Sequence, residues 1–253
     1  MSNESIQIHL NSKFAKTYNN LDYSDVDFET NLIQVDDRYS IHLSVINASI
    51  PYSFYNINST NNELTYQELA SPTPTGLTLY IDKGNYTAYQ FATYLSQNLP
   101  NTTVSYNSIT NKFSFSNSVN EFKIISQYTT CNNILGLSIN DLYNTSNGKN
   151  LTLFKQINLA QNQMIKIATN FNSGSISNLN NNDMKILCSF PVSNAPYSLI
   201  TYTNNDKYKI DLNNNTFNSI NIKLLNQDEQ PLELNQQYFS LTLQLDFVNF
   251  VGY

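Results

Sequence analysis

Near the end of the chain Leu241, Leu243, Leu245 and Phe247 alternate with Thr242, Gln244 and Asp246. A period of two sends successive side chains to opposite faces of a strand, so such a segment must bury one face and leave the other polar. The same period runs through residues 38–50, with Ile41, Leu43 and Val45 on one face and His42, Ser44 and Ile46 on the other. Pro51 ends that strand, because proline donates nothing to a ladder. Further strand candidates are residues 151–157, 164–169, 184–190, 197–203, 208–212, 220–225 and 239–248, separated by polar Asn- and Ser-rich loops. Strands at this spacing predict an antiparallel sandwich, and with those before residue 60 the count nears the eight of a jelly roll. Residues 1–24 read as an arm or as an early strand with a loop.

Residues 62–139 have a different character. Short strands are expected at 64–67 and at Leu77, Leu79 and Ile81, followed by a turn at Lys83-Gly84-Asn85 where Gly84 supplies a positive φ. Thr87 can cap a helix whose apolar residues Ala88, Phe91, Ala92, Leu95 and Leu99 fall three and four apart, on one stripe, before Pro100 stops it. Val104 and Tyr106 lead through a turn at 107–111 to Phe113 and Phe115, a hairpin; Phe122 and Ile124 suggest one more strand, and Asn133-Ile134-Leu135-Gly136-Leu137 closes the block. The expected fold is therefore mainly β: an antiparallel jelly-roll sandwich (1–61 and 140–253) with an inserted small α+β (β-β-α-β-β) subdomain (62–139).

Composition narrows function. Charged residues are 13% of the chain, about half the usual ~25%, so the surface is solvated by neutral hydrogen-bonding groups and repels copies of itself weakly. With a net charge of −6 and no basic run, direct sequence-specific nucleic-acid binding is not expected. Cys131 and Cys188 read as buried thiols, and His9 and His42 have no ligand-spaced partners, so no structural zinc is expected. Residues 1–10 lack an apolar signal segment and no run approaches ~18 apolar residues, so neither secretion through a signal peptide nor a membrane span is expected.

Asp22, Asp25, Asp27 and Glu29 form an acidic cluster that could seat calcium or act as a paired acid and base. The twelve-residue calcium-loop pattern with its glycine is absent, which favours a solvated loop or strand face. Asp36-Asp37-Arg38 reads as a hairpin turn and Asp228-Glu229-Gln230-Pro231 as another. Isolated glycines make no phosphate loop, and no Gly-x-Ser-x-Gly elbow occurs. No catalytic, cofactor-binding or metal residue is assigned, and no cofactor is expected. The 18 tyrosines fit either interfaces or strands, and composition does not separate the two. For Tyr52, Phe54 and Tyr55, core packing at a strand end and an intersubunit role both stay open.

The stretch Ile46-Asn47-Ala48-Ser49-Ile50-Pro51-Tyr52-Ser53-Phe54-Tyr55-Asn56-Ile57 resembles the penton (minor capsid) proteins of virophages and polinton-like viruses, in which a strand ends in Ile-Pro and an aromatic and Tyr-Asn-Ile follow. Ile81-Asp82-Lys83-Gly84-Asn85-Tyr86-Thr87 is similar to their Gly-Asn-Tyr-Thr run before a helix. Ser105-Tyr106-Asn107 with Thr110-Asn111-Lys112-Phe113 resembles the hairpin after it. Leu135-Gly136-Leu137 resembles their closing Leu-Gly-Phe, with Leu137 in place of Phe, and residues 222–248, with Gln230-Pro231-Leu232, resemble the last two strands. Residues 141–215 match nothing in that pattern. The resemblance implies a non-enzymatic single jelly roll with an inserted upper domain, present as a homopentamer at the fivefold vertices of a small icosahedral double-stranded DNA virus. It implies contact with a double-jelly-roll major capsid protein, and a virion location after assembly in the host-cell interior. A vertex protein faces the host, so a host-cell receptor is a further candidate partner. Two other readings stand beside it: a carbohydrate- or receptor-binding fibre module, and an enzyme acting through carboxylates.

Overall fold

The computed structural model describes residues 4–36, 38–69, 76–138, 144–160, 162–171, 185–212 and 216–249. The chain opens with β1 (Glu4–Asn11), β2 (Thr17–Tyr18), β3 (Asp25–Gln34) and β4 (Tyr39–Pro51). It continues through β5 (Glu63–Glu68), β6 (Leu77–Tyr80), α1 (Ala88–Asn98), β7 (Thr102–Asn107), β8 (Lys112–Asn117), β9 (Phe122–Ile124), α2 (Asn132–Leu135), β10 (Asn144–Thr145) and β11 (Asn150–Thr152). It ends with β12 (Met164–Thr169), β13 (Lys185–Pro191), β14 (Leu199–Thr203), β15 (Ile210–Leu212), β16 (Thr216–Leu225) and β17 (Ser240–Asn249). Contacts divide it into two units, Met1–Phe54 with Asn162–Tyr253, and Tyr55–Gln161.

The first unit holds two antiparallel sheets. One runs β1-β17-β4-β14, with β15 also pairing β4; the other runs β13-β12-β16-β3-β2. Each sheet interleaves early and late strands, the wrapping of a jelly roll. Ile41, Leu43, Leu243 and Leu245 from one sheet share a single core with Val26, Ile165, Ile167, Ile222 and Leu224 from the other, each at most 1% exposed. Residues 4–11 are thus a full edge strand, paired with β17 from Glu4↔Phe247 to Asn11↔Ser240.

Three expectations are corrected here. Alternation does not persist to Ile50: Thr242 pairs Asn47 while Leu243 pairs Val45, so Ile46 is an extra residue. This β-bulge moves the buried set from Ile41, Leu43 and Val45 to Ala48 and Ile50. The Asp36–Arg38 turn is no hairpin, since β3 and β4 lie in different sheets; turn chemistry is the same whichever sheet the chain joins next. The strand expected at 151–157 belongs to the other unit, where β11 pairs β8 as a neighbour of the Phe113–Phe115 strand. Asp37 and Met184, of an expected turn and strand, lie outside the described residues.

In the second unit α1 forms as read. Thr87 Oγ1 accepts from the Gln90 N–H and the Gln90 side chain accepts from the Thr87 N–H, a capping box. Phe91, Ala92 and Leu95 are its buried stripe. A four-stranded sheet, β10-β9-β5-β6, and a three-stranded one, β11-β8-β7, complete the unit. It runs from Tyr55 to Gln161, against the 62–139 read from the sequence, because Ile57 at one end and Leu153 and Ile157 at the other are buried in its core. Gly84 is also corrected: among the described glycines, positive φ occurs at Gly136 and Gly148. Gly84 instead pairs its backbone with Ile57 (N–H to O 3.0 Å, and 3.1 Å in return) while a Cβ there would sit 3.3 Å from the Tyr86 ring.

Candidate functional site

The acidic cluster lies on β3 and is filled by donors. Asn221 Nδ2 donates to Asp25 Oδ1 (2.9 Å) and Asp27 Oδ1 (2.8 Å), and Asn19 Nδ2 donates to Asp25 Oδ1 and Asp27 Oδ2 (3.0 Å each). Lys223 pairs with Asp25 at 3.0 Å and Lys16 with Glu29 at 3.0 Å, while Asp22 lies in the preceding turn. Among the described residues no group of three or more His, Cys, Asp or Glu could hold a metal ion. The arrangement ties β2 and β16 to β3. Burial opposes ionisation of Asp25, but the Asn221 and Asn19 amides and the Lys223 ammonium outweigh it, so its carboxyl sits below the ordinary value. A depressed folded pKa gives stability that is present above the unfolded value of about 3.9 and is lost as pH falls through the folded one. Denaturant midpoints should therefore drop below pH ~4, and Asp25→Asn should lower stability at neutral pH and flatten that acid limb. An unchanged acid limb in the variant would remove Asp25 from the account.

The solvent face of the β1-β17-β4 sheet gathers polar groups that the sequence scattered. Asp246 receives hydrogen bonds from Lys209 Nζ and from Gln244 Nε2 (2.7 Å), and His9 Nδ1 meets Thr242 Oγ1 at 3.1 Å. Ser40 Oγ lies 3.2 Å from His42 Nε2, and His42 Nδ1 lies 3.1 Å from Asp211 Oδ1. That is the spacing of a Ser-His-Asp triad. Ser40, however, sits in regular ladder opposite Val248, whose carbonyl its hydroxyl also reaches (3.4 Å), and the Asp211 side chain is 71% exposed. Both features work against a nucleophile, which needs a free hydroxyl and a shielded carboxylate behind the imidazole.

Cys131 and Cys188 are free and buried. Burial pushes both thiols up, Cys188 to about 12, so thiolate is suppressed. The 228–231 turn forms, with Asn226 Oδ1 accepting from the Asp228 and Gln230 N–H groups, and it brings Glu229 within 3.1 Å of Lys166, an ion pair not legible from spacing.

The motif residues 50–57 are structural at their centre. Phe54 is 2% exposed and its ring stacks 4.3 Å from that of half-buried Tyr52; Tyr55 is half-buried and begins the second unit. Asn56 explains why the two motifs occur together. Its N–H donates to Asn85 Oδ1 (2.9 Å), its Nδ2 to the Tyr86 carbonyl (2.9 Å), and its Oδ1 accepts from the Tyr86 N–H (3.0 Å). The Tyr-Asn-Ile and Gly-Asn-Tyr-Thr segments clasp each other.

The outward surface of the jelly roll carries large apolar groups. Phe14 (76%), Leu21 (85%), Tyr197 (75%) and Leu199 (53%) are exposed, all near the same ends of their strands. The first unit is a double sheet packed around one core, and the α+β unit is inserted in the chain between β4 and β12.

No protein-family model matches the sequence, and no curated protein does. The fold is similar to that of the mavirus penton protein, with a TM-score of 0.53 at 14% identity over 97% of this chain and 100% of that one. A chain of the Sputnik virophage structure, also 14% identical, covers 98% of this chain and 99% of its own at a TM-score of 0.43. The likeness to the mavirus protein is one of fold, and it spans nearly the whole chain, well beyond the stretches that carry the sequence motifs.

Proposed function

We propose that this chain is a structural capsid subunit that occupies the fivefold vertices of a small icosahedral double-stranded DNA virus. The observation that carries the reading is the near full-length fold likeness to a penton protein, in a chain whose motif residues form the clasp and core of that fold. Weak self-repulsion and exposed apolar groups at the jelly-roll edges support dense packing. In this role the chain pairs with itself as a homopentamer and with a double-jelly-roll major capsid protein, and its outward side meets a host-cell receptor. It resides in the virion after assembly inside the host cell. One heterologous contact closes a five-membered ring when the rotation is about 72°. Cryo-EM of purified particles should place this fold around each fivefold axis, and the isolated chain at high concentration should form rings. A protein that stays monomeric and is missing from purified virions would overturn the reading.

A further inference from the structure

The strand order leaves the sandwich open along two flanks. On one flank β1 and β2 are edge strands, joined over the top by residues 12–16; on the other β13 and β14 are edge strands, joined by residues 192–198. Each flank carries an exposed apolar patch beside its connection. The first holds Phe14, Leu21 and the ring cluster Tyr18–Tyr23–Tyr238, with centroids 4.6 and 5.3 Å apart. The second holds Tyr197 and Leu199, exposed by 75% and 53%.

Register sets the two patches at one height. Asn11, Ser240, Ser49 and Thr201 form a single row across the sheet. Phe14 follows that row at one end, and Leu199 and Tyr197 precede it at the other, both toward the same end of the strands, with ~14 Å of sheet between the edges. The two patches share a second property: Tyr23 (φ 60) and Tyr197 (φ 67) are the tyrosines with left-handed backbone among the described residues. Aromatic residues adopt that conformation at a cost, and such strain gathers at working surfaces.

We infer that these patches are the two halves of one contact between copies of this chain, the Phe14–Tyr23 flank of one copy seating on the Tyr197–Leu199 flank of the next. This rests on the capsid reading and names the surface it uses. Unlike patches on opposite edges at equal height make a heterologous contact, which propagates around an axis along the strands, whereas a self-complementary patch would stop at a dimer. A copy also covers the open strand edges, which an isolated sandwich leaves unpaired. A sugar fits less well, because Tyr23 and Tyr238 stack face to face, 12° from parallel, and spend on each other the ring faces a pyranose would need.

The test uses two full-length variants: Phe14→Glu with Leu21→Glu on the first flank, and Tyr197→Glu with Leu199→Glu on the second. Sedimentation velocity should show rings for the unmodified chain and monomers for each variant alone, with self-association weakened roughly thirtyfold or more. An equimolar mixture should give a one-to-one dimer and nothing larger, because each variant keeps one working flank. Circular dichroism checks folding, and the milder Leu21→Ser and Leu199→Ser pair, expected to shift the same equilibrium, replaces any variant that fails it. Rings that persist in both variants would overturn this assignment and leave the capsid reading standing. A variant that still dimerises alone would show an isologous contact and overturn it too. An unmodified chain that is monomeric at every concentration would overturn both, and a glycan bound at Tyr18 or Tyr238 would replace the partner.

Discussion

Gly136→Ala should destabilise the inserted unit by roughly 2–5 kcal/mol, far more than adding one methyl group suggests. Gly136 ends α2 at φ 78 and ψ 32, and its N–H closes back on Asn132 O. An L side chain in the left-handed region costs about 1–2 kcal/mol. The new Cβ would also lie 2.5 Å from Lys155 O and 2.8 Å from Gln156 O. Both obstacles are backbone, so no side chain can swing away. The 153–157 segment would have to move, and it carries Leu153 and Ile157 into the core and is held by Leu153 N–H to Phe113 O (3.0 Å) and Ile157 N–H to Asn111 O (2.9 Å). Overpacking of this kind adds about 1–3 kcal/mol. Gly148 is the internal control: its φ is 58, but a Cβ there meets nothing within 4 Å. Gly148→Ala should therefore cost only the ~1–2 kcal/mol of the backbone conformation. Thermal unfolding gives the difference, and hydrogen exchange should show the Gly136 variant losing protection mainly within Tyr55–Gln161. Equal losses in the two variants would refute the close-approach argument.

What the sequence disclosed followed from how local each device is. The helix was legible because Thr87, Gln90 and the Phe91–Leu95 stripe act within a few residues of one another. The last strand was legible because Leu241–Phe247 alternates whatever it pairs with. The bulge at Ile46 was not, since it exists only relative to β17, some two hundred residues away. Leu151 carries no mark that says β8 rather than the jelly roll. Gly84 was read as a turn glycine, yet its lack of a side chain serves the approach of Tyr86 and the bridge to Ile57. The surface was harder still. Tyr66 is 1% exposed and Tyr197 75%, and residue type cannot separate them; only the strand order shows which edges are open. The resemblance reached further because its motifs sit at the points where distant segments lock, as Asn56 does with Asn85 and Tyr86.

Asn117→Asp should be more damaging than Asn117→Ala, although the first replaces an amide by a group of the same shape. Asn117, 1% exposed, ends β8. Its Nδ2 lies 2.7 Å from Tyr66 Oη, 2.9 Å from Glu68 Oε1 and 3.2 Å from Thr102 Oγ1, while its Oδ1 accepts from the Val119 and Asn120 N–H groups at 2.8 Å each. Alanine takes the acceptor from the Val119 and Asn120 N–H groups and a donor from Glu68 Oε1, while Tyr66 Oη and Thr102 Oγ1 keep each other at 3.0 Å; the loss is about 2–3 kcal/mol. Aspartate keeps the two accepting bonds but turns the donor into a carboxylate that faces Glu68, so desolvation and like-charge repulsion add to the loss; roughly 3–5 kcal/mol is expected at neutral pH. The sign with pH follows. Burial beside another carboxylate raises the folded pKa of the new acid above its unfolded value of about 3.9. The folded state then holds the proton more tightly, and stability falls as pH rises through that interval. Urea titrations at several pH values, with the parent chain in parallel, should show the penalty of Asn117→Asp shrinking toward pH 4 while that of Asn117→Ala stays level. A pH-independent penalty, or an aspartate milder than alanine, would mean that the amide protons do not hold this corner together.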